Sequence, residues 1–123
     1  KRKKIAQYYI DHFKEIPEIR VPSIRSENES SWFVFPIKVK EKIRDQVIEK
    51  LKEKGIQSKA YFWPSIHLQP FYIETFGYKK GDFPITEKLS RETIVLPFYT
   101  DLSKEDLDKV VTAVKEIIEG FRW

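Results

Sequence analysis

From Leu107 to Ile118 the apolar residues recur with a helical period. Leu107, Val110, Val111, Val114, Ile117 and Ile118 fall on one stripe, and most positions between them are charged. Such a helix is apolar on one face only, so it needs a second layer to pack against. Its start and stop are written in the same stretch. Ser103 with Asp106 makes a capping-box-like pair, and Leu102 with Leu107 makes a hydrophobic staple. Gly120 ends the pattern.

The rest of the chain offers that second layer in short pieces. Ile5, Tyr9 and Phe13, with Tyr8 beside them, predict a first helix, although four cations crowd its start where negative charge is favoured. Residues 14–30, with Pro17, Pro22 and the polar run Ser26–Ser30, predict a long connection. Trp32-Phe33-Val34-Phe35 opens a strand that continues through Ile37 and Val39, with Pro36 marking an edge or a bulge. Ile43, Val47, Ile48 and Leu51 then give an amphipathic helix that Gly55 closes. Residues 57–62 read as a second strand running into an aromatic loop, Tyr61 to Tyr72, broken by Pro64 and Pro70. A short helix up to Gly77 follows. Gly81-Asp82-Phe83-Pro84 then starts another helix, with Asp82 as cap and with Ile85 and Leu89 facing inward. Thr93–Leu96 is a third short strand, stopped by Pro97. Three short strands among helices predict an α+β fold. A small, largely antiparallel three-stranded sheet would carry helices on one face.

Composition bounds the function. A length of 123 residues fits a single domain with one core. Without cysteine there is no disulfide framework, thiol nucleophile or Cys-ligated zinc site. The net charge of +4 sits entirely in Lys1-Arg2-Lys3-Lys4, so residues 5–123 are neutral and carry no net basic charge for nucleic acid. No apolar run is long enough for a transmembrane helix and no leader pattern is visible in these residues; a cytoplasmic protein is expected. The chain opens on Lys1 and contains no methionine, so it is expected to be a piece of something larger.

Few residues are candidates for chemistry. Of the two histidines, His12 reads as a solvated or half-buried helical residue. His67 stands in the aromatic, proline-rich loop, where a rigid scaffold places binding residues, unless it merely bonds the loop's own backbone. No His/Asp/Glu spacing suits a metal, no G-x-S-x-G elbow presents a serine, and no glycine-rich phosphate loop exists. Lys59, just before the aromatic loop, either meets a phosphate or blunts a sheet edge. Tyr61, Phe62, Trp63, Phe71 and Tyr72 either stack on a ligand or fill a core or an interface.

Several blocks fall in a telling order: Ser31–Phe35, Gly55-Ile56-Gln57-Ser58, Tyr61-Phe62, Pro64, Ile66-His67-Leu68-Gln69-Pro70-Phe71-Tyr72, Phe76-Gly77-Tyr78, Gly81-Asp82-Phe83-Pro84 with Thr86-Glu87, and Leu96-Pro97-Phe98. Residues 1 to about 119 resemble the C-terminal domain of the DegT/DnrJ/EryC1/StrS family of sugar aminotransferases. They are most similar to the perosamine-synthetase-like branch. The resemblance implies the small domain of the aspartate-aminotransferase fold type. It implies an enzyme dependent on pyridoxal 5'-phosphate (PLP), homodimeric, moving an amino group from glutamate to a nucleotide-diphosphate keto-sugar for surface or spore-coat polysaccharide or amino-sugar synthesis. The Schiff-base lysine would lie in an N-terminal large domain, so these residues would carry no catalytic group and would not bind PLP alone. His67 and Tyr61 would make polar contacts to the sugar or phosphate, Phe62 and Trp63 would shape the site, and Lys59 would stand where many relatives have arginine. Two other readings stay open. One is an RNA-binding module of the RRM type, suggested by Phe33-Val34-Phe35 but lacking the aromatic core motif of such domains. The other is a non-catalytic regulatory or oligomerisation domain.

Overall fold

β1 (Phe35–Lys38) and β2 (Thr93–Leu96) run antiparallel, with Phe35 opposite Leu96 and Lys38 opposite Thr93. Strand alternation sends Phe35, Ile37, Ile94 and Leu96 to one face, and all four are buried. Pro36, Lys38, Thr93 and Val95 point to the other face and stay half-exposed. This computed structural model describes residues 1–122. Around the strands it places α1 (Arg2–Phe13), α2 (Glu41–Glu53), α3 (Pro70–Phe76), α4 (Pro84–Glu92) and α5 (Lys104–Glu119), with a 3-10 turn at Ile66–Leu68. The α+β expectation holds.

The expected second strand contracts to one residue. Lys59 exchanges both backbone hydrogen bonds with Val95, at 3.1 and 2.8 Å, and the chain turns away before Tyr61. On the opposite edge Arg20 exchanges two bonds of 2.9 Å with Lys38. The sheet is therefore two strands wide with a single bridge on each side. Val95 aims its amide and carbonyl at Lys59, so facing Pro36 is in a non-hydrogen-bonded pair, and its missing donor points to the thinly covered edge. The first strand also begins later than its apolar run. Trp32, at φ 52°, lies outside it and drops its ring onto the core beside Phe35, 5.7 Å between centroids.

One core joins the buried sheet face to α1, α2 and α5. Tyr9 and Phe13 come from α1, Val47 and Leu51 from α2, and Val114 and Ile118 from α5, all fully enclosed. Burying each such side chain contributes about 1.5–3 kcal/mol. Tyr9 Oη donates to the Pro97 carbonyl at 2.8 Å, and burial pushes its phenol well above its ordinary value. Tyr8 donates to Asp108 of α5; that hydrogen bond, with help from burial and the carboxylate charge, pushes Tyr8 up to about 12. His12 is half-buried with Nδ1 2.7 Å from the Tyr8 carbonyl, in keeping with a structural histidine. The cations at the chain start meet surface carboxylates, Lys3 with Glu29 at 3.2 Å and Lys1 with Asp101 at 3.9 Å. Pairs this exposed contribute about 0–1 kcal/mol.

α5 starts as its sequence predicts: the Asp106 amide donates to Ser103 Oγ at 3.0 Å. α4 does not. Ile85 is 76% exposed and Leu89 is exposed too, so the expectation that both face inward is wrong. Glu87 and Ser90 are the buried residues of that helix. Asp82 is not its cap either; its carboxylate accepts the Lys79 amide at 2.9 Å and tightens the preceding turn. α4 lies beyond the core, so its polar face meets the aromatic loop and its apolar face meets solvent. No helix among the described residues is long and apolar enough to cross a membrane.

Candidate functional site

The aromatic loop is pinned onto α4 by a buried hydrogen bond and rests on α2 through a cation–π contact. Ser65 Oγ donates to Ser90 Oγ at 2.8 Å. Arg44 of α2, 3% exposed, donates to the carbonyls of Ser90 at 2.7 Å and Thr93 at 3.3 Å, and to Asp45 Oδ1 at 2.6 Å. It answers carbonyls at the C-terminal end of α4, a favourable place for a cation. The same guanidinium lies 5.5 Å from the centre of the Trp63 ring, a cation–π contact under an exposed indole. The Tyr61–Phe62 and Trp63–Pro64 peptides are cis.

A cleft of about 640 Å³ opens between this loop, α3 and α4. Tyr61, Phe62, Tyr72, Phe76, Tyr78 and Phe83 are among its walls, with His67 beneath them. Tyr61 and Phe62 stack face to face, 5.1 Å apart at 2°. They also border an apolar hollow of about 410 Å³ on the outer sheet face, shared with Phe33, Pro36 and Val95. Aromatic walls with a few hydroxyls suit a ligand that is planar or apolar on one side and polar on the other.

His67 is 7% exposed. Its ring sits edge-on to Phe83 at 4.9 Å and to Tyr78 at 6.2 Å. Nε2 is buried without a hydrogen bond and lies 3.5 Å from Glu87 Oε2. Glu87 is itself well satisfied: Gly81 N–H donates to both carboxylate oxygens at 2.9 and 3.0 Å, and Phe83 N–H to Oε2 at 3.2 Å. The Gly81 amide foremost, then the Phe83 amide and the neighbouring His67, hold Glu87 below the usual carboxylate range, against the opposing push of burial.

Of the sequence-predicted site residues, Tyr61, Phe62 and His67 come together in the cleft. Trp63 turns away from it onto Arg44. Lys59 lines neither hollow; its backbone serves the sheet edge and its side chain is exposed. The cations that reach this surface are Arg20 and Lys38, on the rim of the sheet hollow. Phe71 is exposed on α3, while Tyr72 enters the cleft. Two residues were given no role from the sequence, although Glu87 stands in one of the blocks that carry the resemblance. Arg44 carried a signal, since it stands three residues before Val47 and seven before Leu51 on the buried stripe of α2. Glu87 carried a weaker one, a carboxylate in the first turn after Gly81-Asp82-Phe83-Pro84. A wider hollow of about 1000 Å³ lies between the end of α2 and α5, lined by charges of both signs and remote from the aromatic loop.

The model of the DegT/DnrJ/EryC1/StrS aminotransferase family matches residues 1–115. Spore coat polysaccharide biosynthesis protein SpsC of Bacillus subtilis is 33% identical over 125 residues, covering 98% of this chain and 32% of SpsC. The dTDP-3-amino-3,6-dideoxy-alpha-D-galactopyranose transaminase of Aneurinibacillus thermoaerophilus is 32% identical over 114 residues, covering 93% of the chain and 30% of that protein. Among solved structures, NtdA from Bacillus subtilis with bound cofactor PMP superposes with a TM-score of 0.79 at 26% identity, over 96% of this chain and 28% of NtdA. The chain thus spans about a third of the length of these relatives. It belongs to the DegT/DnrJ/EryC1/StrS aminotransferase family.

Proposed function

We propose that these residues are the small, substrate-side domain of a cytoplasmic, homodimeric, PLP-dependent sugar aminotransferase. The enzyme would transfer an amino group from glutamate to a nucleotide-diphosphate keto-sugar. Family membership sets the reaction class. The observation that carries the assignment of role is the cleft, where Tyr61 and Phe62 wall a pocket floored by His67 beside an uncovered apolar sheet face. That face is where a large domain would pack.

The described residues do not by themselves fit PLP. No lysine among them is buried, so none offers a water-shielded amine to the cofactor aldehyde. In this reading the cofactor and its lysine belong to the large domain, and no chemical step is assigned to this chain. Its residues bind and orient. Phe62 and Tyr61 offer ring faces and an edge hydroxyl to the sugar-nucleotide, His67 a polar floor, and Trp63 the outer shape of the loop. Lys59 meets a phosphate only where the diphosphate runs along the sheet edge. Binding energy gathered from these remote parts of the substrate is available for orientation at the reacting carbon. An RNA-binding sheet is disfavoured, because the strand residues on the open face are Pro36, Lys38, Thr93 and Val95, none of them aromatic, and the neighbouring rings of Phe33, Tyr61 and Phe62 come from outside the strands.

The test is kinetic. The full-length polypeptide that contains these residues, loaded with PLP, is assayed with glutamate and a dTDP-4-keto-6-deoxy sugar, following amino-sugar by mass and 2-oxoglutarate release. Phe62→Ala is expected to raise KM for the sugar nucleotide about three- to tenfold, the size of one lost stacking contact, and to leave KM for glutamate unchanged. No transamination of any nucleotide keto-sugar by the wild-type enzyme would overturn the reading.

A further inference from the structure

Glu87 is a buried carboxylate that holds two segments at once. Its oxygens take the amides of Gly81 and Phe83, which belong to the turn before α4. Its Oε2 also faces His67 Nε2 at 3.5 Å, and His67 belongs to the 3-10 turn inside the aromatic loop. Phe83 and Tyr78, which flank the Gly81 turn, pack their rings nearly perpendicular to His67. Beside the Ser65–Ser90 hydrogen bond, the two sides of the cleft therefore meet at this carboxylate.

We infer that Glu87 is a positioning residue, which fastens the Gly81–Phe83 turn to His67 and thereby sets the width of the aromatic cleft. The unpartnered Nε2 is the sign of an adjustable contact. A buried nitrogen without a hydrogen bond is costly, and 3.5 Å is just beyond bonding distance. A shift of the loop toward α4 by a few tenths of an ångström closes the bond, so a ligand that draws Tyr61 and Phe62 inward is rewarded at the floor of its own site. Site hydrogen bonds that are long without ligand and tighten with it are a general pattern. Glu87 itself touches no substrate and acts through His67 and the turn.

This inference rests on the proposed aminotransferase reading, and its test separates the two. In the PLP-loaded full-length enzyme, Glu87→Gln keeps an acceptor oxygen and the side-chain shape but removes the charge. KM for the sugar nucleotide is expected to rise about tenfold with kcat within about threefold. The glutamate half-reaction, followed as conversion of the PLP band to the PMP band without sugar, is expected to be unchanged. Equal losses in both half-reactions would mark a merely structural role and overturn the inference, whereas a wild-type enzyme inactive on every nucleotide keto-sugar sinks the functional reading instead. Two further measurements decide the inference in either case. The effects of Glu87→Gln and His67→Phe on sugar-nucleotide affinity should overlap rather than multiply, and His67→Gln, with its amide near the Nε2 position, should restore most of it. Amide exchange at Gly81 and Phe83 should quicken in Glu87→Gln by more than the accompanying loss of global stability accounts for, and unchanged protection of both amides would refute the link.

Discussion

Arg44 stands on α2 in register with Val47 and Leu51, so its side chain must go where theirs go. A guanidinium enters that layer because carbonyls at the end of α4 wait there for donors. Truncating it leaves the Ser90 and Thr93 carbonyls without this partner in a site that water reaches poorly. Arg44→Met is expected to cost about 2–3 kcal/mol in urea unfolding, and a midpoint unchanged within error would show that the carbonyls find other donors. Glu87 carries a pH dependence of a definite sign. Its value in the fold is lowered, first by the Gly81 amide, so its contribution is fully present above the unfolded value of 4.5 and is lost as pH falls through the lower folded value. Protection of the Gly81 and Phe83 amides is expected to fall in the wild type as pH drops below 4.5 and to stay level in Glu87→Gln, as exchange rates corrected for intrinsic pH dependence will show. Neither residue is readable from its own chemistry. Both are charged, and charge in a sequence reads as surface until a partner is seen.

The helices divide by what they pack against. α5 and α2 turn broad apolar stripes to the core, and their sequence patterns locate them without help. The cap of α5 is legible for the same local reason, because Ser103 lies within one turn of the amide it accepts. Ser103→Ala is expected to lower stability by about 0.5–2 kcal/mol in thermal melts, with no change at the cleft, which is formed by other elements. α4 obeys the opposite arrangement. Its apolar Ile85 and Leu89 look outward and its Glu87 and Ser90 look inward, so an amphipathic pattern correctly names a helix and assigns its faces the wrong way round. Periodicity reports that two faces differ; it does not report which one the core occupies. The contracted strand at Lys59 has a related cause. Of residues 57–62 only Tyr61 and Phe62 favour a strand, and only Val95 offers a backbone partner before the aromatic loop is drawn off toward α4.

The molecule as a whole is one core with one uncovered side. Phe33, Phe62, Leu89, Phe76 and Phe83 are all exposed, and they adjoin through the two hollows that Phe62 and Leu89 share. An apolar surface of this kind marks a contact face. The 123 residues expressed alone are expected to bind a hydrophobic dye and to self-associate in sedimentation. Phe33→Ser with Leu89→Ser should reduce both while changing unfolding free energy by less than about 1 kcal/mol, since neither side chain is in the core. A monomer that binds no dye at high concentration would remove the argument for a covered face.

The amino-acid sequence by itself determined the α+β class, the packed faces of α2 and α5, the cap at Ser103 and the family, because each rests on residues close together in the chain or on ordered motifs. Tertiary structure alone decided which way α4 faces, that Arg44 lies under Trp63, and that Glu87 joins the turn before α4 to His67. Those contacts link residues 19 to 46 positions apart or reverse a local preference. Their energy exists only once burial has made an unpaired charge or carbonyl expensive.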